Sequence, residues 1–208
     1  MTMLGLLIET DAAWADEAAR DLDAVLRDHA HCEMKAASHA LSLAARHPDD
    51  LAFVRKLVAL AQEELSHFDR VVELLAARNV ALGAPPVDEY AATLRDRAGK
   101  LAKSIDGRPV APLVDRLLVC ALIEARSCER FKLLFDRLGE RHELYAFYKE
   151  LFVAEARHFR EFVDLAQAAS SEVIAAARLR EIAKIEAEIV SEMFAQSAPD
   201  RSRAAIHG

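Results

Sequence analysis

The chain has 208 residues, 53% hydrophobic and 29% charged, with a net charge of −7 and a pI near 5.6. That length and balance fit one globular domain, residues 1–208, with a sizeable core, and exclude a disordered chain. No window of 18 residues is free of charge and the first basic residue is Arg20, so neither a transmembrane helix nor a basic signal peptide is expected.

Between its few glycines and prolines the chain keeps a 3.6-residue period, and no stretch alternates as a strand does. The spacing predicts helices over about 13–46, 49–80, 113–138, 141–169 and 171–196. Asp49 and Asp50 suit the positive end of the second helix, Gly139 a left-handed stop, and Ser170 or Ser171 a cap for the last helix. Junctions at 47–48 and 139–140 are short, and the one at 81–112 is long. Two hairpins joined by one long crossover are the plan of a ferritin-like four-helix bundle, core about 13–169. The segment 171–196 is expected as an extra helix outside that core, with Val173, Ile174, Ala177, Ile182, Ile185, Ile189 and Met193 on one side. The tail 199–208 is expected to be mobile.

Each of the four bundle helices carries a carboxylate on its apolar stripe. Glu64 and His67 are one turn apart among Leu57, Leu60, Ala61, Phe68, Val71 and Leu75. Glu155 and His158 repeat the pattern among Leu151, Phe152, Phe159 and Phe162. Glu33 lies with Leu26, His29, Ala37 and Ala40, and Glu124 with Leu117, Cys120, Ala121, Cys128 and Phe131. Glu129 falls off the Glu124 stripe. Glu33 stands 31 positions before Glu64, and Glu124 stands 31 before Glu155. A single Glu-x-x-His is common on a solvated helix. Two of them on apolar faces, each preceded at one spacing by another inward glutamate, form the ligand set of a di-metal carboxylate bundle, because unpaired buried carboxylates are costly. Oxygen-rich ligation with one imidazole per metal suits iron or manganese better than zinc or copper. Small residues around Glu33 and Glu124 (Cys32, Ala36, Ala37, Cys120, Ala121, Ser127, Cys128) can leave a pocket or simply pack closely. The three cysteines form no C-x-x-C pair and read as reduced, packed thiols of a cytoplasmic protein.

The crossover carries an apolar stripe, Leu94, Ala98, Leu101 and Ile105, expected as an amphipathic helix with a basic outer face. Between 95 and 108, five basic residues (Arg95, Arg97, Lys100, Lys103, Arg108) face only Asp96 and Asp106. Such a run is either a solvated face or a local site for phosphates on an acidic chain. Arg97, Lys100 and Lys103 are its candidate substrate-binding residues.

The stretches Asp28–Ala37, Gln62–Phe68, Ala121–Arg130 and Ala154–Phe159 resemble a bacterial family of non-haem di-iron tRNA hydroxylases. Members of that family hydroxylate the isopentenyl group of 2-methylthio-isopentenyladenosine, the modified base beside the anticodon. The resemblance spans about residues 14–169. It implies Glu33, Glu64, His67, Glu124, Glu155 and His158 as ligands of two iron ions, in preference to manganese, with Glu64 and Glu155 as the bridging carboxylates. It also implies a monooxygenase reaction with tRNA and dioxygen as substrates and an external electron-donor protein, since no strand-borne G-x-G-x-x-G provides a nicotinamide or flavin site. The competing expectations are iron handling, as a ferritin-like ferroxidase or rubrerythrin-like peroxidase, and a metal-free helical interaction protein. The Cys-x-x-Cys module of a rubrerythrin is absent.

Overall fold

The computed structural model describes residues 4–196, so the tail 199–208 lies outside the described residues. The elements are α1 (Ala13–Arg20), α2 (Leu22–Ala45), α3 (Leu51–Ala77), α4 (Glu89–Gly99), β1 (Ser104–Ile105), β2 (Arg108–Pro109), α5 (Pro112–Leu138), α6 (Tyr145–Ala168) and α7 (Glu172–Gln196). Among the described residues no helix is long and apolar enough to cross a membrane. Backbone contacts divide the chain into two compact units, one running from Arg20 to Val87 and the other made of the residues on either side of it.

In the first unit α2 and α3 pack along one another. Val25, Leu26, Ala37, Ala40 and Leu43 of α2 are buried, as are Leu57, Leu60, Ala61, Val71 and Leu75 of α3. The helix expected over 13–46 is broken at Asp21. Its carboxylate accepts a hydrogen bond from the Ala24 N–H at 3.0 Å, which starts α2 afresh. A short acidic side chain competes with the helical backbone in this way and favours a cap over an interior position. Asp50 does the same for α3, accepting from the Phe53 N–H at 3.0 Å.

The second unit is centred on α5. From Leu117 to Phe131 every residue but Ile123 is buried, as expected of a helix wrapped on all sides. Helix α6 runs along α5, and α7 packs against α4, α5 and α6. Pro112 opens α5, where a missing N–H costs nothing, and Gly139 stops it at φ 77°. Helix α6 begins at Tyr145, four residues later than expected, because 139–144 is taken up by turns. The Ser171 hydroxyl accepts from the Ile174 N–H at 3.3 Å to cap α7.

The long connection differs most from expectation. Its helix, α4, stops at Gly99, and only Leu94 and Ala98 of the expected stripe lie buried in it. Ile105 sits instead in a two-residue hairpin, paired with Arg108. Asp106 and Gly107 form the turn at φ 48° and 73°, the left-handed pair that joins two strands tightly. Strands of two residues are too short to alternate, so no strand period was available to read.

Helix α7 buries a face that matches the expected one only in part, at Ile182 and Ile189. Val173 is exposed, whereas Ala175, Arg178, Ile182, Ala183, Glu186, Ile189 and Val190 are buried. Two charges therefore lie on the packed stripe. Arg178 meets Asp115 of α5 at 3.0 Å and donates to the Ala102 carbonyl at 2.5 Å. Glu186 accepts from Arg126 at 2.9 and 3.1 Å and from the Tyr90 hydroxyl at 3.0 Å. Arg126 donates further to Glu129, to the Thr10 hydroxyl at 3.0 Å and to the Ile8 carbonyl at 3.2 Å. Glu129 in turn accepts from the Thr10 hydroxyl at 2.6 Å. This cluster ties the N-terminal segment, α4 and α7 to one face of α5. Arg130 adds a cation–π contact to Trp14 of α1, 5.4 Å from the ring centre.

Candidate metal centre

In the first unit α2 presents Glu33, and α3 presents Glu64 and His67, all three buried. The i, i+3 spacing sets Glu64 and His67 on one face, with His67 Nδ1 3.5 Å from Glu64 Oε2. The same nitrogen lies 3.7 Å from Glu33 Oε2 across the two helices. One ligand atom from each of the three residues lies within 4.8 Å of the others. Glu63, half-buried on the next position, approaches His67 Nε2 at 3.8 Å.

The second unit carries the same three residue types. Helix α5 presents Glu124, and α6 presents Glu155 and His158, all buried. His158 Nδ1 is 3.8 Å from Glu155 Oε2, and a ring nitrogen of His158 lies within 4.8 Å of a Glu124 oxygen. Beside Glu124 on α5, the Ser127 hydroxyl donates to the Ile123 carbonyl at 3.0 Å, and the Cys128 thiol donates to the Phe152 carbonyl at 3.3 Å. Burial pushes the Cys120 and Cys128 thiols up to about 12, so both are packing groups at neutral pH.

His29 stands on the Glu33 stripe, where no role was expected of it. It is fully buried, and its Nε2 lies 2.6 Å from Glu33 Oε1. An ionised carboxylate only accepts, so the imidazole donates here and holds the Glu33 carboxylate in one orientation. A histidine one turn before a glutamate on a single apolar stripe was the available signal.

Each half therefore offers two carboxylates and one imidazole, a donor set rich in hard oxygen with one nitrogen. That composition fits iron or manganese, the metals for which carboxylate and imidazole ligation is suited.

The candidate substrate contacts lie elsewhere in the second unit. Arg97 makes a two-pronged ion pair with Glu192 of α7, at 3.0 and 2.6 Å. Lys100 pairs with Asp96 at 2.5 Å. Lys103 donates to the Gly99 carbonyl at 2.8 Å and lies 3.8 Å from Asp115. Each of the three thus has a partner within its own unit.

The family described as tRNA-(MS[2]IO[6]A)-hydroxylase (MiaE) matches residues 2–198. This chain belongs to the MiaE family. A tRNA 2-(methylsulfanyl)-N(6)-isopentenyladenosine(37) hydroxylase of Pseudomonas putida is 41% identical over 157 residues, covering 76% of this chain and 72% of the relative. The enzyme of the same name from Salmonella typhimurium is 30% identical over 230 residues, covering 87% and 82%. Among solved structures, protein 43 with aldehyde deformylating oxygenase activity from Synechococcus superposes with a TM-score of 0.77 at 33% identity, covering 88% of each chain. Membership of the MiaE family makes the chain a tRNA hydroxylase, and the fold is all-α and ferritin-like, as the helix pattern predicted.

Proposed function

We propose that this chain hydroxylates the isopentenyl group of 2-methylthio-isopentenyladenosine in tRNA, with dioxygen as co-substrate, at two iron ions held by Glu33, Glu64, His67, Glu124, Glu155 and His158. In this reading each unit contributes one Glu and one Glu-x-x-His. The observation that carries it is the duplication: two donor sets of identical composition, each wholly buried on the apolar faces of a helix pair, in a chain of this family. Four carboxylates supply the negative charge that two ferrous ions need in a site of low polarity. When bound, the iron pair supplies the oxidising power and electron storage that insertion of oxygen into an unactivated C–H bond requires.

The protein's share is placement and exclusion. Glu64 and His67, like Glu155 and His158, are fixed relative to each other by one turn of helix, so no loop motion can separate them. His29 holds Glu33 from behind. The apolar side chains of α5 and α6 around Glu124 and His158, among them Leu117, Ala121, Phe131, Phe159 and Phe162, are buried and keep water from a prenyl chain admitted there. The target methyl belongs to a base that must leave its stack to reach buried carboxylates. Electrons come from a separate donor protein, and the reaction belongs in the cytoplasm, where tRNA is modified.

The test is a single turnover with iron-loaded, reduced protein, prenylated tRNA and ¹⁸O-labelled dioxygen. The nucleoside gains one labelled oxygen atom by mass spectrometry. Label arriving from water, or iron oxidation without nucleoside oxidation, overturns the reading; the latter result is that of a ferroxidase.

A further inference from the structure

Three of the five basic residues between 95 and 108 already have partners, as described above. Arg95 on α4 is exposed and makes no hydrogen bond or ion pair among the described residues. Arg116 on α5 is exposed and equally without one. Arg116, Cys120 and Glu124 follow one another at i, i+4 and i+8 on α5. They pass from exposed to buried along one side of the helix, with Arg116 about 12 Å along the axis from Glu124. Helix α4 packs against α5, and the Arg95 charge is felt at the Cys120 thiol, where it opposes the effect of burial. Two free guanidinium groups from two helices therefore border the surface end of the stripe that leads inward to Glu124.

We infer that Arg95 and Arg116 form a phosphate clamp that grips the tRNA backbone beside the target nucleotide while its base enters toward Glu124. The inference rests on the tRNA-hydroxylase function proposed above. A base carrying a prenyl chain can reach a buried carboxylate only if its own sugar and phosphate stay near the surface. The cation that meets that phosphate must then stand at the mouth, roughly a nucleotide's reach from the ligand, which is the spacing of Arg116 from Glu124. Guanidinium suits the task because its fork matches phosphate oxygens in pairs. A cation with an internal carboxylate partner, such as Arg97 with Glu192, must lose that partner before it gains a phosphate. Arg95 and Arg116 lose only water. The net acidity of the chain is no obstacle, since a few phosphate contacts position the substrate and its base supplies the recognition.

The test is equilibrium binding of prenylated tRNA to the iron-loaded protein between 50 and 200 mM salt, the range over which phosphate contacts act. Arg95→Gln/Arg116→Gln is compared with the parent and with Arg97→Gln/Lys100→Gln. The clamp variant binds at least about tenfold more weakly, since one charge-assisted contact is worth about that much. Its salt slope falls by about 1.4, roughly 0.7 for each single-strand phosphate released. In turnover the loss appears in KM, and kcat at saturating tRNA stays within about twofold. Arg116→Glu, which keeps bulk and reverses charge, loses more than Arg116→Gln. Parent-like affinity and slope in the clamp variant overturn the proposal, as does a larger loss in Arg97→Gln/Lys100→Gln. A parent that binds no tRNA overturns the tRNA reading and the clamp with it, whereas a parent that binds and hydroxylates while the clamp variant matches it sinks the clamp alone.

Discussion

The two sides of α5 bury charge in opposite ways. One side carries Arg126 and Glu129, which close a circuit with Glu186, Tyr90 and Thr10. There the guanidinium supplies the donors and the carboxylates accept them, so the cluster is complete within the protein. The other side carries Glu124, within 4.8 Å of His158 of α6. Carboxylates and a neutral imidazole are chiefly acceptors, and such a group is the chemistry of a cation site. The lesson is that burial alone does not mark a functional carboxylate. Glu129 is as buried as Glu124, yet its bonding partners make it part of the scaffold.

The largest contrast comes from breaking one member on each side. Glu124→Ala is expected to fold, because α5 has ample apolar contact elsewhere, but to lose at least half of its iron and hydroxylation by more than about a hundredfold. Metal analysis beside circular dichroism checks this. Arg126→Ala is expected to leave Glu186 and Glu129 buried without their cation and to cost about 3–5 kcal/mol of stability. Iron per folded molecule should stay near the parent value. Should Arg126→Ala lose metal at unchanged stability, or Glu124→Ala keep it, the division of α5 into two sides fails.

These sides were unequally legible in the sequence. Glu33, Glu64, His67, Glu124, Glu155 and His158 stood out because each lies on a helical stripe with near neighbours, where a period of 3.6 reveals its face. Arg126, Arg178 and Glu186 did not, because a charged residue is read as solvent-facing until its partner is known. Their partners are far away in the chain: Glu186 lies 60 residues from Arg126, and Thr10 lies 119 from Glu129. That distance is also why the packed face of α7 is only partly legible, since its stripe includes Arg178 and Glu186 beside Ile182 and Ile189. Glu129 lies off the Glu124 stripe and holds Thr10 and Arg126 instead. The break at Asp21 and the turn at Asp106-Gly107 are local signals, weak against the strong helical period on either side.

A milder test stays on the metal side. His29 is hydrogen-bonded to Glu33, so His29→Ala leaves the six donors in place and frees Glu33 to rotate. Loss of such an outer partner is expected to weaken metal affinity about 10- to 100-fold, with the fold intact. His29→Gln, whose amide can still donate, should recover part of that loss. Competition with a chelator measures both. Equal affinity in His29→Ala and parent would show that Glu33 is oriented without it.

The smallest effect is silent at neutral pH and concerns the thiols beside Glu124. Burial raises Cys120 and Cys128 to about 12, whereas unfolded thiols ionise near 8.5. The folded value is the higher one, so the associated stability is fully present below about pH 8.5 and is lost as pH rises toward 12. At pH 10 the unfolded chain gains roughly 1–2 kcal/mol from each thiol it ionises, and the folded chain gains nothing. Denaturant titrations at pH 7 and pH 10 should therefore show the parent losing more stability than Cys120→Ala/Cys128→Ala over that interval, whatever cavity cost the variant carries at both. Parent and variant differ only at these two thiols, so the difference in pH dependence isolates them. If parent and variant lose equal stability between the two pH values, the thiols are not sealed from water. The stripe from Arg116 to Glu124 would then stay open to solvent beyond its mouth, and the dry approach required for a prenyl chain would have to lie on another side of Glu124.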